Sequence, residues 1–200
     1  MAAAKRSGRI LRPVETVGGV RIDAPLEEVE VGDRAGFGRA PIGRLAERLD
    51  RSALVEGDAL RQWVVRGAAW PEDGALEGEA ERQYELAVRN MCLLARSYAE
   101  GGFTPFLDLV VVTRYHLEAF RGYLRGARLR LVVLAPAVEV TLERDRARGG
   151  KSGDGWTHLD TAMREELAGF GLWVDSSALT VEATVDAILE RQAEALLPTL

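Results

Sequence analysis

Residues 129–136 read LRLVVLAP, an apolar run too continuous for a strand with one face in water. A strand buried on both faces needs a cover on both faces, and the common solution is a parallel sheet sandwiched between helices. The neighbouring text agrees. Pro136 opens a helix through VEVTLERDRAR, with proline in the first turn where no amide is needed. Upstream, FTPFLDLVVV (103–112) is a mostly apolar strand, and ALVE (53–56) is a shorter one that turns at Glu56-Gly57-Asp58 into a helix start. Residues 172–177, LWVDSS, supply a last strand.

Helices alternate with these strands. The stripe Ile42, Leu45, Ala46 and Leu49 has helical spacing. From Leu76 to Glu100 apolar residues recur at 76, 80, 84, 87, 88, 91, 94, 95 and 98, and Gly101-Gly102 end the helix. Residues 114–125 form a short helix. Thr180 is the N-cap of a final one that uses Val181, Val185, Ile188, Leu189 and Leu196. Strand–helix alternation of this kind predicts an α/β fold of three layers with a mostly parallel sheet.

The 200 residues suit a single domain over 25–200, preceded by a loose, basic extension at 1–24. A net charge of −5 argues against nucleic acid or an anionic membrane as the main partner. The lone cysteine, Cys92, excludes an intrachain disulfide framework and fits a cytoplasmic setting. With it, His116 and His158 leave too few ligands for a closed zinc site. The opening MAAAKRSGRILRPVE lacks a signal-peptide core, and no apolar run approaches the roughly 20 residues that span a bilayer. Trp63, Trp70, Trp156 and Trp173 are candidates to line an apolar pocket, or else core and interface residues.

In open α/β sheets ligands sit beyond the carboxyl ends of the strands. That rule selects Asp58, Asp108, the run Arg144–Arg148 and Asp175-Ser176-Ser177. Four stretches then carry a resemblance: LVEGDALR (54–61), FLDLVVV (106–112), LVVLAPAVEVTLERDRAR (131–148) and GLWVDSSALTVEATVDAIL (171–189). In order and spacing the chain resembles the P-loop small-molecule kinases, the group of gluconate kinases, adenylylsulfate kinases, chloramphenicol phosphotransferase and zeta-toxin kinases. The resemblance implies ATP and Mg²⁺ as cofactors and a hydroxyl-bearing small molecule as acceptor. It implies that Asp58 orients the acceptor hydroxyl and takes its proton, and that Arg61 holds a polar part of the substrate. It places Asp108 near the metal or acceptor, and Arg144, Arg146 and Arg148 in a lid over residues 144–168. Ser177 falls in the loop that passes the adenine. Each residue also has a plainer reading: Asp58 as a helix cap, Asp108 as a structural hydrogen-bonding group, and ERDRARGGK as a solvated charge run.

The phosphate loop is where the pattern breaks. A Walker A loop reads G-x-x-x-x-G-K-[ST]. Here Gly36 and Gly38 offer backbone amides for phosphate, but Arg39 replaces the lysine and Ala40 the Mg²⁺-holding hydroxyl, with Pro41 next. The preceding APLEEVEV carries Glu27, Glu28 and Glu30 where a buried central strand should be apolar. GGKS at 149–152 only ends like a Walker A loop, since Asp145 stands where its first glycine belongs and a helix precedes it. Three accounts stay open: an active site that uses Arg39 and the lid, a pseudokinase binding a small molecule or a protein, or an out-of-frame reading of the first forty residues. The expected activity is ATP-dependent phosphotransfer to an alcohol. The rival is a non-catalytic binding module on the same scaffold.

Overall fold

The computed structural model of the protein describes residues 40–71, 76–147 and 157–198, apart from the side chains of Ala40 and Asp145. The strand most exposed to solvent comes first. β1 (Ser52–Glu56) pairs in parallel with β2 (Thr104–Asp108), Leu54 opposite Phe106 and Glu56 opposite Asp108. β3 (Val132–Leu134) pairs in parallel with β4 (Leu172–Val174), Val133 opposite Trp173. Among the described residues the two pairs share no ladder. They nevertheless contribute to the same two cores, so they lie in one layer. Phe106, Val132, Leu134, Leu172 and Val174 face one side, and Val55, Leu107 and Val133 the other. This is period-two alternation with both faces apolar, as the sequence runs require.

On the first side lie α1 (Ala40–Ala46) and α7 (Val181–Glu190), through Ile42, Leu45, Val185 and Ile188. Their outer faces meet through Arg48 with Glu182 at 3.0 Å and Asp186 at 3.4 Å. Such exposed pairs contribute at most about 1 kcal/mol, so the apolar face does the holding. The Ser52 hydroxyl donates to the Ala46 carbonyl at 2.8 Å. That contact puts the end of α1 beside the start of β1, and α1 therefore runs back along the sheet from the carboxyl rim. On the other side α3 (Gly78–Glu100) buries Tyr84, Val88, Met91 and Ala95, and α4 (Arg114–Tyr123) adds Leu117 and Phe120. α6 (Thr157–Glu166) contributes Met163 to the same core. Burial holds the Cys92 thiol up to about 12, which removes it from consideration as a nucleophile.

Thr180 caps α7 as its sequence predicts, accepting the Ala183 amide at 3.2 Å. Thr180→Ala is expected to lower stability by about 1 kcal/mol in urea titration, the usual loss for a removed cap. The helix itself is shorter than its pattern. It ends at Glu190, and Leu196 instead sits in an antiparallel bridge with Arg130. The Leu131 amide donates to the Ala195 carbonyl and the Leu197 amide to the Leu129 carbonyl, so this tail extends the sheet edge.

Candidate functional site

β1 and β2 end together, Glu56 beside Asp108, at the about 5 Å spacing of neighbouring strands. The chain then turns without a linker into α2 (Gly57–Gln62). Gly57 permits this. A Cβ there would lie 2.6 Å from Leu109 Cδ1 and 2.8 Å from Met91 Sδ, so any larger residue would have to push those two side-chain ends aside where the strand passes into the helix. As a result Asp58, in the first turn of α2, and Asp108 stand half-buried on one rim of adjacent strands.

Arg61 follows on α2 and is buried, 7% exposed. Its guanidinium lies 4.3 Å over the Trp70 ring and donates to the Ala69 carbonyl at 3.2 Å. Tyr84 lies on α3, which packs against α2. Burial pushes its phenol pKa up, with Arg61 pulling it down and Asp58 pushing it up further, so both charges lie within electrostatic reach of the hydroxyl. That hydroxyl donates to the Val110 carbonyl at 2.7 Å. The Tyr84 ring then meets His116, centroids 4.6 Å apart, and His116 meets Tyr115 at 5.6 Å. Burial lowers the His116 pKa, against a smaller upward pull from Glu85, which favours the neutral imidazole at neutral pH.

The second strand pair presents different chemistry at its carboxyl end. Asp175 accepts from both the Ser177 amide at 2.9 Å and the Ser177 hydroxyl at 2.5 Å, and these bonds lower its pKa. The Ser177 oxygen in turn accepts the Ala137 amide at 2.8 Å. Arg144, on α5 (Val138–Ala147), donates to the Ser176 and Ser177 carbonyls at 3.1 and 3.0 Å. The helix that follows β3 is thereby strapped to the loop that follows β4. Arg164 of α6 reaches the Pro136 carbonyl at 3.3 Å while paired with Asp160 at 2.8 Å. Ser176 is fully buried, and its Oγ has no hydrogen-bond partner among the described residues.

The structure thus brings Asp58, Arg61 and Asp108 to one end of the β1–β2 pair, and Arg144 and Ser177 to the same end of the β3–β4 pair. Arg146 is exposed in the last turn of α5. Ala40 is the first residue of α1. Gly36, Gly38, Arg39 and Arg148 lie outside the described residues. Glu56, Tyr84, His116 and Arg164 belong to this rim too, although nothing in their local sequence announces it; only the strand-end position of Glu56 offered a signal.

Two carboxylates on one rim, Glu56 and Asp108, are hard oxygen donors of the type that holds Mg²⁺ jointly with phosphate. Among the described residues there is no cluster of three or more His, Cys, Asp or Glu side chains that could hold a metal ion. At the opposite rim a cleft of about 150 Å³ lies between the end of α4 and Leu196–Pro198. Its Arg121 is engaged by Glu118 and the Pro198 carbonyl.

The architecture has clear counterparts among solved structures. A sugar kinase from Janibacter sp. superposes with a TM-score of 0.60 at 15% identity, covering 84% of this chain and 94% of that one. A gluconokinase from Sinorhizobium meliloti gives 0.57 at 21% identity, covering 86% and 95%. The fold is that of the P-loop small-molecule kinases. The tunicamycin resistance protein of Deinococcus radiodurans shares it, with a TM-score of 0.56, 19% identity and 88% and 99% coverage. No family sequence profile matches the chain, and no curated protein matches it by sequence. The kinase fold is therefore visible in the backbone where sequence identity has fallen to this level. No helix among the described residues is long and apolar enough to cross a membrane.

Proposed function

We propose that the protein transfers a phosphoryl group from Mg-ATP to a hydroxyl of a small molecule. The observation that carries this reading is the placement of Asp58 and Asp108 on one rim of paired strands, within a kinase fold. Asp58 accepts the proton of the alcohol as its oxygen bonds to the γ-phosphorus and the bond to ADP breaks, leaving phosphate ester, ADP and one proton. Arg61 holds the polar part of the acceptor side and sets the field around Asp58. Asp108 and Glu56 are the residues that would hold Mg²⁺, which supplies charge neutralisation on the phosphates.

On the nucleotide side Gly36, Gly38 and Arg39 offer the phosphate contacts and Ala40 begins the helix behind them. Ser177 lines the loop that passes the adenine. Arg146 and Arg148 close over the phosphates, and Arg144 keeps its α5 end aligned with the loop. Arginine suits the task because its planar fork matches phosphate oxygens.

A second reading has its own observation. Ala40 stands at the helix start where a Mg²⁺-holding hydroxyl belongs, which favours a module that binds without transferring phosphate. A thermal-shift titration separates the two. Mg-ATP at 100 times its Kd is expected to add about 2.7 kcal/mol of stability. Absence of any shift at millimolar Mg-ATP, alongside no ATP consumption with a panel of hydroxylated metabolites, would select the binding module.

A further inference from the structure

Apolar side chains near the acceptor rim are left in water. Trp63 is 72% exposed, Val65 94% and Trp70 40%, all on the segment that leaves α2 directly after Asp58 and Arg61. This segment is pinned in place. Gln83 of α3 donates to the Gly67 carbonyl at 2.7 Å and accepts the Ala69 amide at 2.9 Å. Arg61 adds its bond to the Ala69 carbonyl and its stacking on Trp70. Directed polar contacts therefore hold an apolar surface outward, forfeiting burial that would otherwise stabilise the fold.

Trp70 is tied to the candidate acceptor site. Its ring lies against Arg61, which follows Asp58 by three residues on α2. The surface is also small. Three side chains, even at the roughly 150–250 Å² that a large aromatic buries, fall short of the about 800 Å² per partner that a stable protein interface needs. A small molecule anchored at Asp58 matches that size.

We propose that the alcohol bound at Asp58 carries an aromatic ring or an apolar group of similar size, and that Trp63, Val65 and Trp70 cover it. This rests on the placement of the acceptor at Asp58 made above. A bare polyol leaves the three side chains in water and gains nothing from them. An alcohol with an apolar appendage buries them on binding, and contact with the Trp70 ring fixes its orientation.

The test is equilibrium binding to the full chain without nucleotide, read by tryptophan fluorescence and by calorimetry. The probes are two matched pairs, phenyl against methyl β-glucoside and 2-phenylethanol against ethanol. Each phenyl probe is expected to bind at least about tenfold more tightly than its partner, the gain from burying one ring. Trp63→Ala and Val65→Ser are each expected to erase a threefold or larger part of that preference while leaving the methyl glucoside unaffected. Both side chains are exposed, so neither change threatens folding. Equal affinity within both pairs, failure of all four probes to bind, or a preference that survives both substitutions overturns the proposal. So does a self-association seen in sedimentation that Trp63→Ala abolishes, which would assign the surface to a second copy. The assay contains no ATP, so a loss of the kinase reading appears in the Mg-ATP titration and not here.

Discussion

Asp58→Asn is expected to lower phosphoryl transfer by about 10²–10⁴-fold, equivalent to roughly 2.7–5.5 kcal/mol of transition-state stabilisation. The change keeps the shape of the side chain and removes the charge that receives the proton. Asp58 lies in the first turn of a six-residue helix, where a negative charge is worth about 0.3–1 kcal/mol. The magnitudes separate the two roles. A carboxylate that merely supports α2 gives a melting point lower by about 1–4 °C and unchanged turnover. A catalytic one gives the same small melting shift with turnover lost and Mg-ATP affinity kept. Full activity in the asparagine variant would remove Asp58 from the chemistry.

Much of this architecture was legible because burial writes a period into the sequence. The 76–100 stripe predicts a helix, and α3 buries Ala80, Tyr84, Ala87, Val88, Met91 and Ala95 from it. It also buries Cys92 and Ala99, which the stripe omitted, and leaves Tyr98 43% exposed. Near a sheet, packing widens the apolar face on one side and narrows it on the other. Boundaries were less legible, for a reason of range. FTPFLDLVVV reads as one strand through Val112, yet the ladder stops at Asp108 because its partner β1 stops at Glu56. Strand length is set by a neighbour some fifty residues away, and no local pattern reports it. The overlong final helix failed similarly, since Leu196 keeps helical spacing from Leu189 but takes its place in the bridge to Arg130.

The grouping of Asp58 and Asp108 on one rim was legible from one general rule, that polar residues at carboxyl strand ends face ligands. Asp58 and Asp108 both satisfy it. The arginine run ERDRARGGK did not reveal its internal division. Arg144 turns toward the Ser176 and Ser177 carbonyls and Arg146 toward solvent, two residues apart on one helix. Tyr84 and His116 were invisible for a different reason. Each lies on a helical face that is also core, where an aromatic at apolar spacing looks like packing. The reach of Tyr84 to the charges of Asp58 and Arg61, and the contact of His116 with the Tyr84 ring, emerge only once α3 and α4 are docked together.

Gly171→Ala is expected to cost about 2–3 kcal/mol or more, seen as a lower denaturant midpoint with an unchanged slope. The residue precedes β4 with φ of +67°, where a side chain alone costs about 1–2 kcal/mol. A Cβ there would also run into the Leu131 carbonyl oxygen. That same oxygen accepts the Leu172 amide at 2.9 Å, the first bond of the β3–β4 ladder. The methyl group must push β4 away or break that bond, which adds about 1 kcal/mol or more. Gly102→Ala supplies the control. Its φ is +78°, but an added Cβ meets only the Arg51 side chain, at 3.5 Å, so the backbone penalty stands alone. The difference between the two variants measures the clash by itself, and equal losses would mean that β4 gives way freely. If it does not, the damage is directed. β4 carries Asp175, Ser176 and Ser177, and Arg144 is fastened to that loop and not to the strand. Misplacing β4 therefore shifts the whole strap at the carboxyl end of the β3–β4 pair, while Asp58 and Asp108 stay fixed on the other pair.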